Sequence, residues 1–534
     1  MKKFNYISLA FLSLIFLGAC EQEVMTLTQP EPNTTNIGPD PCAGGAGTAN
    51  FTKFIALGNS FVAGVQGGAL FNDGQNNSLA AIVNKQLACA GGTATFNQPS
   101  IRASLGWNLF FTQPVLGPPF DPTKPVLGRL RLQGTPPRPT PQTYAPGNFE
   151  AVPNPQVNEM FQYLGTTGAV ATNQLNNFSV PAITVGQTLT AAAGDWNNPN
   201  PALGFTPFYA RFASAPGTST ILSDAASAQG TFALVWLGLD DFFLYAAFGG
   251  DPTLAPLTSS GDFATRIGAV FAHPVIGLFT TSPNMKAVIG NFPDIFKMPH
   301  FTSVPWNAIV FTVADQAKID GANAGYAPYN AGLDAAFGGG LITAEERDRR
   351  KITFAVGANG IVLEDESLTD LSGMGLPSIR KATSTDIFPL STGSILGTEA
   401  TPGNPATTWG VGKALTDRYA IIPAERDAIN AARAAFNATI TGVVAANTTK
   451  LALADVDAAL NALITAQAGI SNGVTITPNI NPPTGIYSED GVHPNTRGYA
   501  FLANVFIDAI NAKFGSTIPK ANLAKYPATG LPLP

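Results

Sequence analysis

Phe54-Ile55-Ala56-Leu57-Gly58-Asn59-Ser60-Phe61-Val62-Ala63-Gly64 decides the fold of this chain. Four apolar residues closed by a glycine have the length of a strand buried on both faces of a parallel sheet, with a serine at its C-terminal end. Two more runs follow the same plan. Residues 232–237 close on Gly238-Leu239-Asp240-Asp241, and residues 287–289 close on Gly290-Asn291. Ligands of open parallel sheets gather at the carboxyl ends of the strands. The three strand ends are therefore expected to bring Ser60, Asp240 and Asn291 to one rim.

Helical periods lie between and after these runs. Leu502, Phe506, Ala509 and Ile510 share one face of a helix that Asn495 is placed to cap. Ile429, Ala432, Phe436 and Ile440 form a second stripe behind Pro423 at a first-turn position, and the alanine-rich stretch 453–468 reads as its partner helix. Strands alternating with helices indicate an α/β domain with a parallel sheet. Two regions exceed a minimal domain of this kind. Residues 106–155 are dense in proline and glycine and are expected to form a long loop or lid over the sheet. Residues 314–415 contain an expected hairpin, with 352–356 and 361–363 flanking a turn at Asn359-Gly360. Both insertions are expected either to shape a cleft or to cover a sheet edge.

The chain has 534 residues, of which 45% are hydrophobic and 12% charged, with a net charge of −6. No basic stripe is present to neutralise phosphates, which argues against a nucleic-acid partner. Met1-Lys2-Lys3 precedes an apolar run over 7–18, a length that suits a secretory leader better than a spanning helix. Leu17-Gly18-Ala19-Cys20 resembles a lipobox, which implies a lipoprotein signal peptide over 1–19 and acylation of Cys20 in a bacterial cell envelope. Acidic Glu21 and Glu23 resemble surface-export signals of outer-membrane lipoproteins and equally suit a solvated tether, so the periplasmic and outer faces both stay open. Residues 20–50 read as that flexible tether, and the folded body is expected over 51–534. Cys42 and Cys89 either pair in an oxidising envelope or remain free thiols.

Chemistry enters with a second motif near the C-terminus, Asp490-Gly491-Val492-His493-Pro494. With Ser60 it supplies a nucleophile, a base and an acid that orients the base. The chain has three histidines, and only His493 stands three residues after an aspartate in a Gly/Pro-flanked turn. His273 and His300 lack that context and are expected in core or surface roles.

Together these blocks resemble the SGNH or GDSL hydrolases, in particular their large bacterial lipoprotein-type members. Residues 56–64 match the block around the nucleophile, with Asn59 where aspartate is commoner. Val180-Pro181-Ala182 falls where the second block places a glycine, Gly238-Leu239-Asp240-Asp241 resembles the third block, and Asp490 to His493 the last. Asn291-Phe292-Pro293-Asp294, residues 301–306 and Gly498-Tyr499-Ala500 also resemble the lipoprotein subgroup. The resemblance implies a flavodoxin-like three-layer α/β/α sandwich with a parallel sheet and large insertions. It further implies a triad of Ser60, His493 and Asp490, and an oxyanion hole formed by Ser60, Ala182 and Asp240.

Two departures bear on activity. Asp240 stands where the family places a neutral asparagine donor, and an ionised carboxylate there repels the developing oxyanion. Loss of one such donor costs on the order of 10²–10³ in rate. A protonated Asp240, shielded by Trp236, Leu237, Leu239, Phe242 and Phe243, restores a donor, and Asn59 or Asn291 are the alternative sources of an amide. Ala182 in place of glycine keeps the backbone N–H. Adjacent Asp240 and Asp241 invite a metal, but strand neighbours face opposite ways and no cysteine or histidine cluster has ligand spacing, so neither metal nor cofactor is expected. Asp241 is expected to support the rim. Gly67-Gly68 reads as a turn and Glu364-Asp365-Glu366 as a solvated strand end.

The expected activity is hydrolysis of a carboxylic ester, with a lipid, aryl or acylated-carbohydrate substrate. Alternatives are a catalytically impaired glycan- or lipid-binding lipoprotein, and acyl transfer to or deacetylation of a carbohydrate.

Overall fold

The computed structural model describes residues 42–108, 127–133, 138–143, 163–166 and 168–528. The expected leader over 1–19, the acylation site Cys20, the tether as far as residue 41, and residues 109–126, 134–137 and 144–155 of the proline-rich insertion lie outside the described residues.

The chain builds an α/β structure around a four-stranded parallel sheet. Its strands are β1 (Phe54–Gly58), β2 (Phe232–Trp236), β3 (Lys286–Gly290) and β4 (Leu451–Ala454), hydrogen-bonded in the order β1-β2-β3-β4. Every residue of β1 and β2 is buried, as parallel strands covered on both faces require. Phe54 registers with Phe232, and Phe232 with Lys286, so the C-terminal ends fall on one rim. Residues 176–180 run parallel beside β1. Ala56 N donates to Asn176 O at 2.7 Å, Phe178 N to Ala56 O at 2.8 Å and Val180 N to Gly58 O at 2.9 Å.

Seven helices carry the argument: α1 (Ser60–Ala63), α2 (Leu79–Ala88), α3 (Asp240–Ala247), α4 (Ser260–Ala272), α5 (Pro423–Ala446), α6 (Val456–Ala466) and α7 (Thr496–Phe514). Asn495 caps α7 by accepting from Gly498 N, and Phe506 and Phe514 pack their rings on Trp236 and Phe232 of β2. Pro423 occupies the first turn of α5, where its missing N–H has no helical partner to lose. Phe436 of α5 stacks on Phe263 of α4 at 4.0 Å and meets Phe242 of α3 edge-on. Among the described residues no helix is long and apolar enough to cross a membrane.

Several expectations are corrected. The stretch 453–468 is not one helix: Leu451–Ala454 is the edge strand β4, and Asp455 caps α6 through Ala458 N. Alanine and leucine favour helix locally, but the open edge of β3 offers a complete ladder for Leu451 to Ala454. Asn359-Gly360 does not turn a hairpin, since neither residue takes the positive φ that a type I′ turn needs. Gly357–Asn359 pairs instead with Ile309–Phe311, and Val362–Glu364 with Ile379–Lys381. Within 106–155, Leu127–Gln133 and Arg138–Thr143 pair as antiparallel strands where a loop was expected. The folded body starts at least as early as Cys42, which is disulfide-bonded to Cys89, and Thr48 N donates to Phe514 O at 2.8 Å.

A second hydrophobic cluster draws on Ile309, Tyr326, Leu333, Ile361, Phe388 and Leu415, and the stretch 314–415 lies within its span. Asp365 belongs to this core and is not a solvated strand end. It is 1% exposed and pairs with Arg380, which also binds Asp386.

Candidate active site

The nucleophile segment follows β1 without slack. Asn59 Oδ1 accepts from Phe61 N at 3.1 Å and starts α1, so Ser60 occupies the first helical position, where its backbone N–H has no intrahelical acceptor. Gly58 permits the reversal, because a Cβ there would lie 2.3 Å from Val62 Cγ2. Ser60 is 3% exposed, and Ala182 N donates to its Oγ at 2.9 Å.

The C-terminal motif forms a closed loop ahead of α7. Ser488 N donates to His493 O at 2.7 Å, and Ser488 Oγ to the same carbonyl at 2.9 Å, which brings Asp490 and His493 face to face. His493 Nδ1 lies 2.7 Å from Asp490 Oδ2. The carboxylate also accepts from Val492 N and His493 N, each at 2.8 Å, and from Gly68 N. Burial alone would raise the Asp490 carboxyl, but the His493 charge and these hydrogen bonds outweigh it and hold the group below the usual carboxylate range. An ionised Asp490 fixes the Nδ1–H tautomer and leaves His493 Nε2 as the basic nitrogen. The Phe61 ring sits 5.1 Å from the imidazole, centroid to centroid, so the residue after Ser60 touches the base.

Gly67-Gly68 does more than turn the chain. With φ of +56° and +75°, the pair aims its N–H groups at Ser488 Oγ and Asp490 Oδ2, an anion-binding nest filled by the protein's own acid. Tyr499 Oη of α7 donates to Val65 O at 2.6 Å and ties the same two segments together.

Asp240 and Asp241 open α3 and point to different tasks. Asp241 Oδ2 accepts from Val185 N at 2.8 Å and Oδ1 from Thr258 Oγ1 at 2.9 Å, which holds the loop carrying Ala182. Burial pushes the Asp241 carboxyl up to about 6, against the pull of those two bonds. Asp240 lines a cavity together with Ala182. Burial pushes its carboxyl up to about 8; the Asn59 amide draws it down and the Asp241 charge adds to the rise. Both Asn59 Nδ2 and Asp240 Oδ2 are buried without a hydrogen-bond partner in the protein. Such groups are costly unless a ligand meets them. Asp240 and Ala182 line one cavity, and a protonated Asp240 adds a hydrogen-bond donor to it.

The structure does not bring Asn291 into this group. Its side chain binds Asp455 Oδ1 at 2.8 Å and Asp457 N at 3.0 Å, bracing the start of α6, so it is no amide for the oxyanion hole. Ala182 is held at φ 54°, a conformation that glycine takes freely and alanine only under strain. His300, assigned to a core or surface role, is a neighbour of the acid: its Nδ1 lies 2.9 Å from Asp490 O and its backbone N donates to Gly491 O. Burial lowers its basicity. No local motif around His300 announced this contact. His273 receives Val275 N on Nδ1 and closes a turn after α4.

Among the described residues, the acidic group close enough to share a cation is Glu366, Asp417 and Glu425, whose oxygens lie within 4.8 Å of one another. Burial raises Glu425 to about 9 and Asp417 to about 6, so protons already relieve part of the crowding. No protein-family model, curated protein or solved structure matches this chain.

Proposed function

We propose that the chain is a serine ester hydrolase of the SGNH or GDSL type, exported and anchored through lipidated Cys20 at the bacterial outer membrane. The observation that carries this reading is the joint geometry of two contacts: His493 Nδ1 on Asp490 at 2.7 Å, and the Ala182 N–H on Ser60 Oγ at 2.9 Å. The sheet supports it as well. With residues 176–180 placed outside β1, five parallel segments run in the flavodoxin-like order 2-1-3-4-5, and the chemistry sits at their carboxyl rim.

In this mechanism Ser60 Oγ attacks the ester carbonyl carbon while His493 Nε2 takes the hydroxyl proton, and Asp490 stabilises the imidazolium. The carbonyl oxygen becomes an oxyanion that receives hydrogen bonds from the Ser60 and Ala182 N–H groups and from the protonated Asp240. Collapse expels the alcohol, which takes the proton from His493, and leaves an acyl-Ser60 ester. Water, deprotonated by His493, then releases the acid.

A fluorophosphonate probe on the full chain tests the reading. Labelling that maps to Ser60 and disappears in Ser60→Ala is expected. Folded protein that takes no label would favour the reading of a glycan- or lipid-binding lipoprotein, for which the carboxyl at position 240 speaks.

A further inference from the structure

A cavity of about 930 Å³ opens beside the Ala182 N–H and Asp240, within the size range of small-molecule pockets. Its walls come from the loop after residue 180, from residues 201–208, from α3 (with Phe248 just after it), from residues 253–258 and from Arg266 of α4. Leu189, Phe208, Leu244 and Phe248 supply apolar surface. Leu203 and Leu254 also line it while remaining 52% and 46% exposed, so two large apolar side chains face solvent at this cavity. Exposed leucines at a cavity wall are surface that an apolar ligand would cover.

Four polar side chains of the lining are already engaged, whereas Asp240 Oδ2 has no partner in the protein and Arg266 meets Asp262 only at 3.8 Å. Thr184 Oγ1 donates to Gln187 Oε1 at 3.0 Å, Gln187 Nε2 to Gly204 O at 3.2 Å, Thr258 Oγ1 to Asp241 and Thr253 Oγ1 to Asp251. A sugar would need such groups as its own donors and acceptors, because unpaired hydroxyls in a cavity are unfavourable. A hydrocarbon chain needs only the apolar surface.

We propose that this cavity is an acyl-chain pocket, which makes esters of medium-chain fatty acids, rather than acetylated carbohydrate, the substrate class. The inference rests on the hydrolase reading for its kinetic consequence, though not for its binding consequence. The pocket holds the chain while the carbonyl lies at Ala182 and Asp240.

The test uses the full chain with p-nitrophenyl esters from acetyl to decanoyl. Each buried methylene is worth about fourfold, so kcat/KM is expected to rise by up to about 4 × 10³-fold over the six methylenes from acetyl to octanoyl. Ala202→Trp, at an exposed lining position, should abolish most of that rise and leave the acetyl ester within about twofold. Leu203→Glu with Leu254→Glu, both at exposed sites, should do the same without a bulky insertion. A chain-length profile that is flat in the wild type, or an equal loss on acetyl and octanoyl esters in both variants, overturns the pocket. Binding separates this failure from that of the catalytic reading. A fluorescent fatty acid should saturate Ser60→Ala protein and bind at least tenfold more weakly to the same protein carrying the double glutamate change. Binding without any ester hydrolysis would sink the hydrolase and keep the pocket. Acetyl-ester hydrolysis with neither chain-length preference nor fatty-acid binding would do the reverse.

Discussion

Replacing Asp240 with asparagine puts the unusual carboxyl to its sharpest test. In the folded protein burial raises Asp240 to about 8, whereas an unfolded aspartate titrates near ~3.9. Between those limits the native state holds a proton that the unfolded chain releases, so native stability falls as pH rises through that window. The slope is about 1.4 kcal/mol per pH unit for one such group, which makes about 2.7 kcal/mol between pH 5 and pH 7. Asparagine is already neutral and lacks this term. Asp241, Asp417 and Glu425 also titrate with raised values, but they are common to both proteins and cancel in the difference. For a chain of 534 residues the unfolding entropy makes 1 kcal/mol worth about 1 °C. The thermal midpoint of Asp240→Asn should therefore gain about 3 °C on the wild type on going from pH 5 to pH 7. Ester hydrolysis gives the second readout: the wild type should lose activity above about pH 8 as its donor ionises, and the variant should retain it, ahead by about tenfold at pH 9. Parallel stability curves together with identical pH–rate profiles would refute the protonated-donor argument.

Asp490→Asn removes the charge that holds the His493 tautomer and should lower kcat on a p-nitrophenyl ester by about 10⁴-fold with little change in KM. Ala182→Gly should relieve the positive φ and raise stability by about 1 kcal/mol, read as a higher urea midpoint with activity equal or higher; a loss of stability would mean that Ala182 is unstrained. Cys89→Ser opens a disulfide joining residues 47 apart in sequence, and chain entropy for a loop of that length puts the cost at about 4 kcal/mol. Thermal melts of the two proteins in oxidising buffer should differ accordingly, and should converge when the wild type is reduced.

Much of the sheet was legible because each inner strand is an unbroken apolar run closed by glycine. Phe54 to Leu57, Phe232 to Trp236 and Ala287 to Ile289 cannot be stable on a surface, and their closing glycines let the chain reverse at the rim. The helices over 423–446 and 496–514 were legible by period and by Pro423 and Asn495 at their starts. The edge strand Leu451–Ala454 was not, since alanine and leucine carry no strand preference and the ladder belongs to β3. The Asn359-Gly360 hairpin failed for the opposite reason. A strong local turn signal lost to pairing with Ile309–Phe311, which sequence proximity gives no means of foreseeing.

The candidate site divides along the same line. Residue types and short spacings alone named Ser60, Asp490 and His493, because a triad needs three specific chemical groups and this chain has few histidines to choose from. Packing between segments distant in sequence decided what surrounds them. Gly68 became a ligand of Asp490, Asn291 turned away to brace α6, and His300 came to rest on the acid's carbonyl. The state of Asp240 was decided the same way. An aspartate in a sequence is a charge by default, and burial beside the charge of Asp241 is what raises its carboxyl to about 8. Chemical identity is written residue by residue along the chain, whereas desolvation and register depend on what the rest of the fold places nearby.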